Sequence, residues 1–86
     1  MSMNLNVVVS DGTITSVQVN KCSDTVNDLI DKVNEERTNK IIVTLIVING
    51  IPVKTDEFSK TLSNWELVDG QNINISEYYD GGFFYR

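Results

Sequence analysis

The sequence predicts an α+β domain in which one helix packs on one face of a mixed sheet of four or five strands. Three observations lead to this class: an Asp-Gly turn joins two β-rich segments at the start, one amphipathic helical segment follows, and further β-rich segments come after it. A chain of 86 residues is expected to form a single domain. We expect that domain over residues 1–80, with a short C-terminal segment over residues 81–86.

The first two strands are predicted to form a hairpin. Leu5, Val7 and Val9 alternate with the residues at positions 6, 8 and 10, as in a strand with one buried face. Asp11 and Gly12 favour a tight turn because both residues tolerate a positive φ. The β-branched residues over 13–19 predict the second strand of the hairpin.

The helix is predicted to run from about Thr25 to Glu36. Either Ser23 or Asp24 is the expected N-cap, because short polar side chains accept hydrogen bonds from the first free amides of a helix. One face is apolar at helical spacing and carries Val26, Leu29, Ile30 and Val33. An acidic cluster on the other face is expected to be solvated and comprises Asp28, Asp31, Glu35 and Glu36.

Two more strands are predicted after the helix. Residues 41–48 form a continuous run rich in β-branched side chains, typical of a strand and too short to span a bilayer. Asn49 and Gly50 predict a tight turn into a short strand over residues 51–53. Pro52 indicates that this short strand lies at a sheet edge, because proline has no backbone N–H to donate.

An irregular connection and a last strand complete the domain. The connection is expected to anchor in the core through Phe58, Leu62, Trp65 and Leu67. Asp69 and Gly70 predict a turn, and Ile73 and Ile75 mark one face of the last strand. We expect the strand after the helix to pair parallel with the first strand through a right-handed crossover. This order of elements is the β-grasp arrangement.

Composition argues against several kinds of function. The chain has no histidine, and its carboxylates do not resemble a metal cage or an acid–base pair. A net charge of -5 without a basic cluster argues against binding nucleic acid and favours docking on a basic surface of a protein. No apolar run approaches the ~20 residues of a membrane helix, and the N-terminus does not resemble a signal peptide. We therefore expect a cytoplasmic protein that is no enzyme and has no metal site or cofactor.

The second half of the chain resembles the small sulfur-carrier proteins of thiamin and molybdopterin synthesis, which share the β-grasp fold with ubiquitin. The matching pieces, in order, are residues 47–53, the turn at residues 69–70, and the pair Gly81 and Gly82 after the last strand. The resemblance implies a ubiquitin-like β-grasp fold. It also implies that the chain is activated at its C-terminal glycine by an adenylating enzyme.

The chain departs from the family pattern in two ways. Residues 78–80 lack the arginines that ubiquitin has there, so we expect a different activating enzyme. The chain also continues past Gly82 with the tail Phe83, Phe84, Tyr85 and Arg86. Because this tail holds the Gly82 carboxyl in a peptide bond, we expect a protease to cut after Gly82, and the resemblance implies a protease of the zinc isopeptidase type. Alternatively, the aromatic residues could form an extra strand segment or bind a groove on a partner.

Three functions are compatible with these residues. The leading one is a ubiquitin-like modifier conjugated through Gly82 to amines of target proteins. Its implied partners are an activating enzyme, a candidate conjugating enzyme, the processing protease and the targets. The second is a sulfur carrier that forms a Gly82 thiocarboxylate for cofactor or amino-acid biosynthesis. The third is a β-grasp interaction module that is never conjugated.

Other residues are weaker candidates. Cys22 is either a reactive thiol near the helix start or, as we favour, a half-buried packing residue. Val8, Thr44 and Ile46 are candidates for a docking patch on the sheet, and the sequence alone does not fix the register that would decide among them. The candidate conjugation acceptors are Lys21, Lys32, Lys40, Lys54 and Lys60.

Overall fold

The computed structural model describes residues 2–38 and 40–78. Its elements are β1 (Ser2–Val9), β2 (Ile14–Asn20), α1 (Val26–Glu35), β3 (Ile42–Ile48), β4 (Ile51–Val53), short 3-10 helices at Thr55–Glu57 and Leu62–Asn64, and β5 (Gln71–Tyr78). The strands form one sheet in the order β2-β1-β5-β3-β4, and α1 covers one face of it. The predicted α+β class, with one helix on a mixed sheet, is confirmed.

β5, the last strand in the described part of the chain, lies in the middle of the sheet. β5 pairs parallel with β1 on one edge and antiparallel with β3 on the other. The prediction that the strand after the helix pairs parallel with β1 is therefore wrong, because β5 occupies that position and β3 lies beyond it. Strand order depends on the connection over residues 54–70, which returns the chain from the β4 edge to the middle, and no local pattern reports this path.

The two predicted hairpins are confirmed. β1 and β2 pair antiparallel around a turn in which Gly12 has a φ of 95°. Between β3 and β4, Asn49 and Gly50 both have a positive φ, 55° and 78°, which suits a two-residue turn that follows the twist of its strands. Pro52 lies in β4 at the edge of the sheet, as predicted.

The N-cap of α1 is Thr25 rather than Ser23 or Asp24. The Asp28 N–H donates to Thr25 Oγ1 at 3.1 Å, and the Asp28 carboxylate accepts from the Thr25 N–H at 2.9 Å. The Asp24 carboxylate instead accepts from the Asn20 N–H at 2.7 Å and so closes the turn after β2. The reciprocal bonds form a capping box and provide partners for two of the four amides that a helix start leaves free.

The connection between β4 and β5 provides partners for the other two amides. The Val26 N–H donates to the Lys60 carbonyl at 3.3 Å, and the Asn27 N–H donates to the Phe58 carbonyl at 3.0 Å. Every free amide at the start of α1 thus has a partner. The same bonds hold the connection, which has little regular structure of its own, against the helix.

The core lies between α1 and the sheet. The predicted apolar face of the helix is confirmed, with Ile30 half-buried and three residues fully buried, Val26, Leu29 and Val33. The predicted anchors of the connection are also confirmed, since Leu62 and Leu67 are buried and Phe58 and Trp65 pack against the core. No helix in the described part of the chain is long and apolar enough to cross a membrane.

Replacing Leu62 with alanine tests whether the connection is part of the core. Leu62 is fully buried, so Leu62→Ala should lower the free energy of unfolding by about 2–5 kcal/mol through lost burial and the cavity left behind. Val68→Ala is the matched control and should change it by less than about 0.5 kcal/mol, because Val68 is 65% exposed. Urea unfolding measures both, and equal effects would show that the connection does not contribute to the core.

Candidate functional site

The strand that leads to the predicted conjugation site is enclosed on both edges. β5 bonds to β1 and β3, and its last residue, Tyr78, pairs with Ile42 at the start of β3. Gly81, Gly82 and the tail at residues 83–86 lie outside the described residues. The structure therefore describes β5, the strand that precedes the predicted site, and this strand is paired on both sides.

An apolar patch lies on the outer face of the sheet, the face turned away from α1. It consists of Ile42, Leu45 and Val47, and we call it the β3 patch. Ile42 and Leu45 are 38% and 39% exposed, and Val47 is half-buried. The register against β5 shifts between Val43 and Leu45, so Thr44 is the extra residue of a β-bulge. Because of the bulge, Ile42 and Leu45 share a face although they are three residues apart.

The bulge also explains an error in the predicted docking patch. Ile46 is fully buried, so it cannot contribute to a docking surface. A regular strand would place Ile42, Thr44 and Ile46 on one face, and the extra residue changes this alternation. Val8 does lie on the outer face, where it is half-buried and pairs with the exposed Ile14. The side chain of Thr44 lies outside the described part of the structure.

Between Val8 and the β3 patch, the outer face is polar but uncharged. Asn74 of β5 lies opposite Val8 on one side and opposite Val47 on the other, and Ser76 lies opposite Leu45. Apolar area beside amide and hydroxyl groups is typical of protein interfaces, in which the apolar part provides affinity and the polar groups orient the partner. This face is therefore suited to docking a protein, and its described residues offer no positive charge for phosphate groups.

Arg37, just after the helix, holds the turn between β1 and β2. Its guanidinium donates to Asp11 Oδ2 at 2.8 Å and to Thr13 Oγ1 at 2.7 Å. Asp11 Oδ1 accepts from the Thr13 hydroxyl at 2.6 Å and from the Thr13 N–H at 3.0 Å. The side chains of Arg37 and Asp11 are only 10% and 19% exposed, so water screens this ion pair less than a typical surface pair. No sequence signal identifies the pair, because its members are far apart in the chain.

The interpretation of Cys22 as a half-buried packing residue is wrong. Cys22 is exposed in the turn between β2 and α1, and its N–H donates to Asn20 Oδ1 at 3.1 Å. The turn points away from the core because the chain must reverse there before the helix begins after Thr25. The alternative, a reactive thiol, stays a prediction.

The charged side chains of the helix and the connection show no sign of a metal site. Among the described residues, no group of three or more possible ligands is close enough to hold a metal ion. Most of the acidic helix face is exposed, while Asp28 is half-buried in the capping box. Two of the candidate acceptor lysines have partners: Lys40 donates to the Asn34 carbonyl at 2.7 Å, and Lys60 lies 3.9 Å from Glu57.

Comparison with known proteins gives matches in solved structures alone. No protein-family model matches the sequence, and no curated protein matches it significantly. Among 91 matching chains of solved structures is the crystal structure of the UBL domain of Plasmodium falciparum Dsk2. The match has a TM-score of 0.72 and 21% sequence identity, and it covers 91% of this chain and 100% of that one. The fold is a ubiquitin-like β-grasp. Similarity at this level establishes the fold, and the function has to be argued from the residues of the chain.

Replacing Arg37 tests whether it holds the β1–β2 turn. Arg37→Ala removes two charge-assisted hydrogen bonds and should lower the free energy of unfolding by about 1–2 kcal/mol. Lys60→Ala is the matched control for losing a cation, since Lys60 is exposed and its carboxylate partner lies 3.9 Å away. Lys60→Ala should lower the free energy of unfolding by less than about 0.5 kcal/mol. Thermal unfolding of both variants measures the difference, and an Arg37→Ala variant as stable as Lys60→Ala would contradict this role.

Proposed function

We propose that this chain is a ubiquitin-like protein modifier that is processed after Gly82 and conjugated through it to amines of target proteins. The observation that carries the proposal is the place of β5, the last strand that the structure describes, in the middle of a ubiquitin-like sheet. Gly81 and Gly82 follow its last residue, Tyr78, within four positions. An extended segment of that length reaches at most about 14 Å, enough to enter the channel of an enzyme while the domain stays outside.

In this proposal the chain is a substrate, and other enzymes perform the chemistry. The Gly82 carboxylate attacks ATP, forming an acyl-adenylate and releasing pyrophosphate. A cysteine thiolate of the activating enzyme then displaces AMP to form a thioester, and a target amine displaces the thiolate to form an amide. Glycine at positions 81 and 82 suits a narrow channel because it has no side chain to clash. We place these steps in the cytoplasm, after a zinc isopeptidase-type protease has removed the tail.

Mass spectrometry of the tagged protein from cells of its source tests the proposal. We expect a mature form that ends at Gly82, together with conjugates. A protease that cuts after glutamate should leave residues 78–82 on modified lysines, because Glu77 is the last glutamate before Gly82. Trypsin is unsuitable, since no lysine or arginine lies between Lys60 and Gly82.

Truncated chains are the matched controls for this experiment. A chain that ends at Gly82 should form conjugates without processing, whereas one that ends at Gly81 should form none. If the Gly82 carboxylate instead exchanges one oxygen for sulfur and no conjugates form, the chain is a sulfur carrier. Residues 47–53 and 69–70 resemble motifs of that family. If only the full-length chain is found in every sample, both functions that need a free Gly82 are excluded.

A second function, a β-grasp interaction module that is never conjugated, is favoured by the β3 patch. Leu45 and Ile42 expose apolar area on a face whose described residues carry no charge, and this exposure costs free energy in water unless a partner covers it. Docking through this face needs no chemistry at Gly82. The two functions therefore differ in whether binding of protein partners survives deletion of the Gly-Gly pair.

Substitutions in the β3 patch test the interaction module. Leu45→Asp should weaken binding to cross-linked cellular partners by about tenfold or more, because it places a charge in an apolar contact. Val68→Asp, at an apolar residue in the turn before β5 that is even more exposed than Leu45, is the control and should bind normally. A chain ending at Asp80 should keep the same partners if the domain is an interaction module. If that chain binds none of the partners, the full chain acquires them only by conjugation, and the interaction module is contradicted.

A further inference from the structure

Two side-chain amides join the β3–β4 turn to the segment just before β5. Asn49 Nδ2 donates to the Glu66 carbonyl at 3.1 Å, and Asn49 Oδ1 accepts from Gln71 Nε2 at 2.6 Å. Gln71 Oε1 accepts in turn from the Val68 N–H at 3.0 Å. Because Glu66 and Val68 belong to one segment, these three bonds connect the two side chains to residues 66–68 at both ends. We call this arrangement the amide bridge.

The backbone groups at the two ends of the amide bridge fix the direction of its hydrogen bonds. The Glu66 carbonyl can only accept, so it requires the amino group of Asn49. The Val68 N–H can only donate, so it requires the carbonyl oxygen of Gln71. A carboxylate at position 49 would have no hydrogen to donate and would place an oxygen against the Glu66 carbonyl. The bridge therefore depends on an amide at position 49.

The same asparagine has a reactive neighbour. Asn49 is the one asparagine in the sequence that a glycine follows. The backbone nitrogen of a following residue can attack the asparagine Cγ and close a cyclic imide, and glycine favours this attack because it has no Cβ to shield its nitrogen. Asn49 and Gly50 are both exposed, and apart from the chain neighbours no atom lies within 4 Å of the place where a Gly50 Cβ would stand. The surroundings of the pair are thus open to water.

Two features of the folded chain oppose the attack. The amide bridge holds the side chain of Asn49 against the segment before β5. The backbone of Asn49 is left-handed, with a φ of 55°. A left-handed residue combines a positive φ with a positive ψ, and this ψ turns the nitrogen of the next residue away from the side chain. The peptide bond between Asn49 and Gly50 must therefore rotate, and the turn must open, before the nitrogen can reach Cγ.

We propose that Asn49 is a modification site at which the chain loses ammonia, and that the amide bridge delays this loss in the folded state. The Gly50 nitrogen forms a bond to Asn49 Cγ, and its proton leaves with the side-chain amino group as ammonia. Water then opens the imide at either carbonyl, which leaves aspartate or isoaspartate at position 49 and adds one negative charge. The reaction involves neither Gly82 nor the β3 patch, so it stands apart from the proposed function.

Either product breaks the amide bridge. Aspartate cannot donate to the Glu66 carbonyl, so residues 66–68 lose one of their two bonds to the bridge. Isoaspartate also adds a carbon atom to the main chain, which a two-residue turn between paired strands does not accommodate. The modification therefore changes both the charge and the local structure at this end of the sheet.

Incubation of the full chain at mildly alkaline pH, in water enriched in a heavy oxygen isotope, tests the proposal. Peptide mass spectrometry should find the heavy oxygen at position 49, because water supplies one oxygen of the product. The chain unfolded in guanidinium chloride should convert at least about tenfold faster than the folded chain, since unfolding removes both the bridge and the left-handed turn.

A variant of Gln71 tests the bridge itself. Gln71→Ala leaves Asn49 and Gly50 unchanged but removes the donor to Asn49 Oδ1, so it should speed conversion in the folded chain by about fivefold. Should Gln71→Ala not fold, Gln71→Met removes the same donor from a side chain of similar shape. Gln18→Ala is the matched control, because Gln18 also has a side-chain hydrogen bond, to Ser2 Oγ at 3.1 Å, but lies on the opposite edge strand, β2. It should leave the rate unchanged.

Leu62→Ala separates opening of the bridge from unfolding of the whole domain. This variant lowers the stability of the core without removing a group of the bridge, so it should speed conversion less than Gln71→Ala does.

Four results would overturn the proposal. These are no conversion at Asn49 in the unfolded chain, equal rates in the folded and unfolded chains, a Gln71→Ala rate no higher than that of Gln18→Ala, and a larger acceleration by Leu62→Ala than by Gln71→Ala. The last result would mean that unfolding of the domain, and not the amide bridge, controls the reaction.

Discussion

β5, the last strand among the described residues, occupies the middle of the sheet, and the rest of the structure depends on this placement. β5 pairs with β1 and β3 at the same time, so it is the element that joins the β1–β2 hairpin to the β3–β4 hairpin. Ile73 and Ile75 of this strand are buried against α1 and complete the core. β5, which ends at Tyr78, is therefore held by a neighbouring strand on each side.

The connection before β5 makes this placement possible because it is fixed at both ends. The carbonyls of Phe58 and Lys60 accept hydrogen bonds from the helix start. At the other end, the Asn4 N–H donates to Asp69 Oδ1 and the Gly70 N–H donates to the Asn4 carbonyl, both at 2.7 Å. One irregular segment thus provides the helix with hydrogen-bond partners and sets the point at which the chain enters the sheet beside β1.

Features that depend on neighbours in the chain could be predicted from the sequence, and features that depend on distant contacts could not. Asn49 and Gly50 alone specify the β3–β4 turn, because the required positive φ angles are a property of those two residues. The pair of Arg37 and Asp11 has no local pattern, and strand order is decided by the path of the connection. For the docking face, the sequence suggested Ile46 wrongly, because an apolar run does not report where its alternation is interrupted. The predicted role of Gly81 and Gly82 rests on the sequence alone, because both residues lie outside the described part of the chain.

The bulge at Thr44 is a position at which β3 can change in length. The run over residues 41–48 contains one more residue than its pairing with β5 requires. Deleting Thr44 would restore regular alternation, with Ile42 still on the outer face and Ile46 still in the core. Deletion of a residue from the regular part of the run, between Leu45 and Ile48, would exchange the two faces. The bulge is thus the position at which this strand can gain or lose a residue during evolution without exchanging its buried and exposed side chains.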